Sequence, residues 1–164
     1  MDILQSGFAE VKLTRGLVTI IDVEDLEFVS QHKWCVFRRR HTDYAGRAQG
    51  KKMVFLHRVL LNATDGIDVD HRNNDGLDNR RANLRLCTRS ENLRNCQKRK
   101  GCVSEYKGVW KQRDERPKPW TASIQVGKKR YSRSFATELE AALWYDGMAK
   151  ELHGEFAKLN FQQR

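Results

Sequence analysis

The stretch from Val69 to Asn92, VDHRNNDGLDNRRANLRLCTRSEN, gathers the residue types that metal-assisted hydrolysis requires. Asp70 and His71 are adjacent, Asn83 comes twelve residues after His71, and Asn92 lies nine further on. A hard cation takes oxygen ligands, which carboxylates and amides supply, and a neutral imidazole can take a proton from water near neutral pH. Phosphodiester hydrolysis needs that combination: a cation to polarise the phosphate and a base to activate the nucleophile.

These groups converge only if the segment folds as strand, loop, strand and helix, with the helix across the hairpin. Val69 to His71 reads as a short strand. The following RNNDGLDNRRAN holds the Asp75-Gly76 turn signal and is too rich in Asn and Asp for a buried element. Leu84 to Cys87 alternates as a second strand. Thr88 and Glu91 have capping-box spacing, which puts Asn92 in the first turn of a helix expected to run to about Arg99. Asn92 and Cys96 would share a face, aiming the Asn92 amide back over the hairpin toward Asp70.

The spacing resembles the HNH nucleases of the ββα-metal fold, in the phage and intron-encoded branch where asparagine replaces the last histidine. The LHR triplet at Leu56 to Arg58 also looks like that branch. The resemblance implies His71 as general base, Asp70 and Asn92 as metal ligands, and Asn83 as the middle asparagine bracing the loop. It further implies one divalent ion, Mg²⁺ with Mn²⁺ as substitute, and products bearing 5′-phosphate and 3′-hydroxyl ends.

A net charge of +10 is spread along the 164 residues, densest from Arg80 to Lys100, where eight basic residues face one acidic residue, Glu91. A polyanion suits such a stretch, and Arg85, Arg89, Arg94 and Arg99 are expected along a phosphate path on double-stranded DNA. No apolar run is long enough to span a membrane, and the N-terminus lacks the flank and core of a signal peptide, so an intracellular protein is expected, in a bacterial cytoplasm if phage-encoded. Cys35, Cys87, Cys96 and Cys102 contain no C-x-x-C pair and read as reduced thiols, mostly in the core, rather than as zinc ligands.

Upstream, residues 10–23 concentrate β-branched side chains around Arg15-Gly16 and predict two short strands. Asp22 to Ser30 predicts a short helix with Asp22 as N-cap and Leu26 and Val29 inward. Lys33 to Arg39, Asp43 to Ala48 and Lys52 to Leu60 predict three strands, punctuated by Gly46 and Gly50. His57, flanked by Phe55 and Leu56 on the last of these, reads as a buried structural histidine or a phosphate contact rather than the base.

Beyond Lys98 to Cys102 the pattern changes, and three strands followed by one helix are expected. Tyr106-x-Gly108-Val109-Trp110, Trp120, Phe135, Ala141-Ala142-x-x-Tyr145-Asp146 and Ala157-x-Leu159-Asn160-Phe161 closely resemble the APETALA2/ethylene-response-factor DNA-binding domain over nearly all of 104–161. That family lays a three-stranded sheet in the major groove and backs it with the helix. By position, the resemblance implies groove-facing Lys107, Trp110, Gln112, Trp120, Ser123, Gln125, Lys129, Tyr131 and Ser134; Phe135, Trp144 and Leu152 fit the inward face and are expected in the core. Several arginines that read guanine in the plant proteins are Lys, Trp or Gln here, so the target sequence does not carry over.

The expected architecture is α+β: a β-rich scaffold over 1–60, a ββα-metal core over about 61–100 within a nuclease domain of 1–103, and a DNA-binding domain over 104–164. The expected activity is metal-dependent, site-preferring DNA cleavage of the homing type by a monomer or a transient dimer on DNA. The competing readings are a DNA-binding regulator with an inactive nuclease centre and a basic structural or RNA-binding protein.

Overall fold

The computed structural model describes residues 2–4, 7–39, 42–96, 98 and 101–161. Its architecture is α+β, and the chain divides into two compact units, Met1–Asn92 and Leu93–Arg164. The segment from Leu93 to Val103, expected to close the nuclease domain, clusters with the second unit.

In the first unit, β1 (Asp2–Leu4), β2 (Phe8–Lys12) and β3 (Val18–Asp22) form an antiparallel sheet in that order. Ala9, Val11, Thr19 and Ile21 alternate inward along β2 and β3, as a half-buried sheet requires. A 3-10 turn at Val23–Asp25 leads into α1 (Leu26–Ser30), whose Val29 is fully buried. The expected Asp22 cap is corrected: its side chain caps no helix and instead accepts the backbone N–H of Arg81 at 2.7 Å.

A second sheet comprises β4 (Cys35–Arg38), β5 (Asp43–Gln49) and β6 (Lys52–Phe55). The strand expected to reach Leu60 stops at Phe55, and Leu56–Leu60 is a helix, α2. Leu56, Val59 and Leu60 recur at helical spacing and pack on the core, so burial favours the helix over a longer strand. Full burial of Leu56 alone is worth roughly 1.5–3 kcal/mol.

β7 (Asp68–His71) and β8 (Leu84–Cys87) pair in register Asp68 to Cys87, Asp70 to Arg85 and His71 to Leu84. α3 (Arg89–Asn95) follows, shorter than the helix expected to about Arg99; residues 97, 99 and 100 lie outside the described residues. Gly76 is the residue on which the β7–β8 loop turns against β5, since a Cβ there would lie 2.3 Å from the Asp43 carbonyl and 2.7 Å from the Tyr44 ring.

The second unit contains β9 (Val109–Lys111), β10 (Trp120–Val126) and β11 (Lys129–Phe135), with β10 central, and α4 (Glu138–His153). Thr137 and Glu140 cap α4 reciprocally, and Ala141, Ala142, Tyr145 and Ala149 bury one face of the helix in the same core as Val109, Ala122 and Ile124. Gly108, at φ 74°, faces the Tyr145 ring at a distance where a Cβ would lie 2.1 Å from it, so no larger residue fits.

The four cysteines are free thiols, but Cys96 and Cys102 are exposed, which corrects the mostly-core expectation; Cys87 is buried and Cys35 half-buried. Among the described residues no helix is long and apolar enough to cross a membrane.

Candidate active site

Adjacent strand residues leave opposite faces, so β7 sends Asp68 and Asp70 one way and Val69 and His71 the other. Different surroundings form on the two faces. On the carboxylate face, Asp70 is only 4% exposed, and Arg85 from the paired position on β8 donates to its Oδ2 through Nε at 2.8 Å and Nη2 at 2.6 Å. The Thr88–Glu91 box caps α3, with Thr88 N–H donating to Glu91 Oε2 at 2.8 Å and Glu91 N–H to Thr88 Oγ1 at 3.3 Å. It places Asn92 so that Nδ2 donates to Asp68 Oδ2 at 2.9 Å. The Asn92 bond, with help from Arg89, holds the Asp68 carboxyl below the usual carboxylate range.

Asp68, Asp70 and Asn92 therefore share one side of the hairpin. Among the described residues no group of three or more His, Cys, Asp or Glu is arranged to hold a metal. A set of two carboxylates and one amide, all hard oxygen donors, nonetheless fits a hard divalent cation that completes its shell with water and phosphate oxygens.

On the other face His71 is 5% exposed and ringed by aromatic groups: its ring centroid lies 5.1 Å from His57 and 5.7 Å from Tyr44. Burial lowers the His71 pKa, opposed by a hydrogen bond with Asn79 and by the charge of nearby Asp70. His57 sits on α2, stacked on Phe55 at 5.6 Å, with burial and then the neighbouring His71 pushing its pKa down to about 3. A neutral, buried His57 is a packing residue and not a cation for phosphate.

Asn83 spans the loop at its base. Its Oδ1 accepts Asn73 N–H at 3.1 Å, while Nδ2 donates to Asn73 Oδ1 at 3.0 Å and to the Asp78 carbonyl at 2.7 Å. Charged side chains tie the same loop down: Arg80 clamps Asp78 through Nε at 2.7 Å and Nη2 at 2.6 Å, and Arg81 clamps Asp25 through Nε at 2.9 Å and Nη2 at 2.7 Å. Part of the basic stretch is thus structural. Arg85 is placed differently from the open phosphate contact expected of it, because the buried Asp70 needs a counter-charge and Arg85 is its strand partner. Arg89 is largely exposed and reaches Asp68 at 3.2 Å, Arg94 is half-buried, and Arg99 lies outside the described residues.

In the second unit, strand alternation sorts the expected DNA contacts into two groups. The open face carries Trp110, paired with Thr121; Ser123, paired with Ser132; Gln125, paired with Arg130; and Ser134, paired with Thr121. Gln112 joins them by donating to Thr121 Oγ1 at 3.2 Å, and the Arg130 guanidinium lies 5.7 Å from the Trp110 ring centre. Trp120, Lys129 and Tyr131 are corrected: they pair with Phe135, Val126 and Ile124 on the helix-facing side, where Trp120 and Tyr131 pack on the core. Lys107 is corrected too, since its Nζ donates to the carbonyls of Arg94 at 2.5 Å and Cys96 at 2.7 Å.

Sequence reasoning passed over Asp68, Asn79, Thr19 and Arg130. Asp68 had a signal, its place two residues before Asp70 on one strand; Arg130 had one in the parity of β11. Thr19 lies far from the loop in sequence and had none.

With this geometry in place, comparison with known proteins gives a consistent result. Residues 54–94, which include α2, the hairpin and nearly all of α3, match the HNH endonuclease family. The chain is also similar to an uncharacterized HNH endonuclease of Acanthamoeba polyphaga mimivirus, 29% identical over 148 residues, covering 89% of this chain and 76% of that protein. No solved structure matches. Residues 54–94 are thus similar to the HNH endonucleases, and the matches support a DNA-cleaving hydrolase.

Proposed function

We propose that the protein is a site-preferring, metal-dependent DNA endonuclease of the homing type, with His71 as its general base. The observation that carries the reading is the buried imidazole of His71 next in sequence to the carboxylate of Asp70, inside the matched span. A hard divalent cation, Mg²⁺ with Mn²⁺ as substitute, would be held by Asp70 and Asn92 with Asp68 beside them, and would polarise the scissile phosphate and stabilise the leaving oxygen. His71, the last residue of β7, leaves the strand on the side opposite Asp70, so the scissile phosphate would lie across that end of the hairpin for His71 to take the proton from the attacking water. Asn83 keeps the loop closed behind it. Arg85 holds the Asp70 carboxylate in place, and Arg89 offers a charge to the DNA backbone.

Selectivity is assigned to the open face of β9, β10 and β11, consistent with the resemblance of residues 104–161 to the APETALA2/ethylene-response-factor domain. A phosphate is alike at every step of DNA, whereas Trp110, Gln112, Gln125 and Arg130 can reach base edges, where a good bidentate contact discriminates by roughly 1–3 kcal/mol. Supercoiled plasmid incubated with purified protein and Mg²⁺ or Mn²⁺ tests the reading. Nicked or linear product that chelator suppresses supports it; binding without cleavage in either metal supports a regulator instead.

A further inference from the structure

One face of the second sheet carries aromatic side chains that belong to no core. Strand partners share a face and side chains alternate with period two, so Phe37 and Tyr44, Gly46 and Phe55, and Ala48 and Met53 lie together across β4, β5 and β6. The opposite face supplies Val36 and Ala45 to the main core, whereas Phe37, Tyr44 and Phe55 stay half-buried outside it and Met53 is 43% exposed. Gly46 lets the rings gather, because a Cβ there would lie 3.0 Å from the Phe37 ring and 3.2 Å from the Phe55 ring. Those two rings meet edge to face at 5.9 Å. Tyr44 follows at 6.1 Å from Phe55, and His71 at 5.7 Å from Tyr44. The row thus starts at the candidate active site and continues onto a face where Met53 meets solvent.

The charge around this face is one-sided. Residues 33–58, which hold the whole sheet, contain eight Lys and Arg and one acidic residue, Asp43. Arg38 and Arg39 are exposed at the β4–β5 end and Lys51 and Lys52 at the β5–β6 turn, so cations stand at both ends of β5. An aromatic face between cations fits a strand of nucleic acid, whose phosphates are drawn to the ends while a base lies on the rings. Inside a duplex both faces of a base are covered by its neighbours, so only an unstacked base can settle there.

On the nuclease reading of the adjacent site, we propose that the Phe37–Phe55 face is a stacking platform for an unstacked base of the DNA strand being cut. Stacking is tolerant of sequence because every base has a flat face, so the platform favours opened DNA near the cut without choosing a target.

The test uses full-length protein in chelator, so that no strand is cut, with oligothymidylate as the single strand and its duplex with oligodeoxyadenylate as the control. Oligothymidylate carrying iodouracil, irradiated in the complex, should crosslink to peptides that hold Phe37 or Phe55. Crosslinks confined to other segments overturn the proposal. Phe37→Leu keeps apolar volume and removes the ring face; it should weaken single-strand binding by about five- to hundredfold and leave duplex binding little changed. Should that variant not fold, Met53→Glu sets a negative charge on the solvent-facing part of the same face and should weaken single-strand binding in the same direction. Unchanged single-strand affinity in either folded variant overturns the platform, and a shift from dimer to monomer in sedimentation alongside it would give the face to a second copy of the chain instead. Plasmid left uncut in Mg²⁺ and Mn²⁺ while the crosslinks persist would sink the nuclease reading and leave the stacking contact standing.

Discussion

The hairpin of the first unit and the sheet of the second are both small antiparallel elements, yet they present functional side chains in opposite ways. Along β7 and β8 the candidates are interior: Asp70 answers to Arg85, and His71 to Asn79 and Thr19. Along β9, β10 and β11 the candidates stand on an open face with few ties beyond Thr121–Ser134, Gln112–Thr121 and Arg130–Ser123. Buried polar groups are costly unless every partner is present, so the first arrangement holds atoms to fixed positions and fails as a unit. An open face tolerates loss one contact at a time. Fixed positions suit bond breaking; a graded surface suits reading a variable sequence.

The largest effect should come from His71→Ala, which is expected to abolish cleavage while DNA affinity stays near that of the parent, since a base acts in the chemical step. Parallel binding and single-turnover measurements check it, and full cleavage by the variant would take His71 out of the mechanism.

Next in size is Arg85→Met, which leaves the Asp70 carboxylate buried beside an apolar side chain and should lower stability by about 3–5 kcal/mol in urea unfolding. Pairing it with Asp70→Leu should return most of that loss, because an apolar pair of similar volume carries no buried charge. If the double variant is no more stable than Arg85→Met, the ion pair is not the interaction that holds this end of the hairpin.

A smaller pair of effects separates the two faces of the sheet. Trp120→Ala should destabilise the second unit by about 1–3 kcal/mol through lost packing and leave the salt dependence of DNA binding alone. Arg130→Ala should leave stability alone, cost about 1–3 kcal/mol of DNA affinity and relax the sequence preference at one position, as the loss of one base-edge contact does. An inverted outcome would mean that DNA meets the helix-facing side.

These contrasts also explain what could be read in the sequence. The hairpin and α3 were legible because their signals are local: a turn dipeptide, alternation and a capping box. Even so, Arg85 went to the wrong partner, since a charge in a basic run gives no hint of burial until strand register pairs it with Asp70. The α2 segment was lost to β6 because five residues after a strand with apolar ends read equally as more strand. On the sheet the expected contacts broke a simple rule: Trp120 cannot share a face with Ser123 and Gln125, nor Lys129 and Tyr131 with Ser134, because side chains alternate with period two. Thr19 was invisible because its contact to Asn79 spans sixty residues of chain.

A further expected effect concerns how each unit treats a buried charge. Asp70 has a guanidinium against it, whereas the Lys107 Nζ makes its hydrogen bonds to the Arg94 and Cys96 carbonyls. Burial is the main cause that pushes the Lys107 pKa down, from 10.5 to about 8. The unfolded chain keeps its lysine proton up to the ordinary value, so between those two pKa values the unfolded state binds more protons than the folded one. Stability contributed by this group must then rise as pH climbs from about 8 toward 10.5, the reverse of a lysine that gains a carboxylate partner. Urea unfolding of the parent across that window should show the rise, and Lys107→Met should flatten it. A parent whose stability falls through the window, in step with the variant, would mean that Lys107 stays charged there and that its carbonyl partners stabilise the ammonium more than burial opposes it.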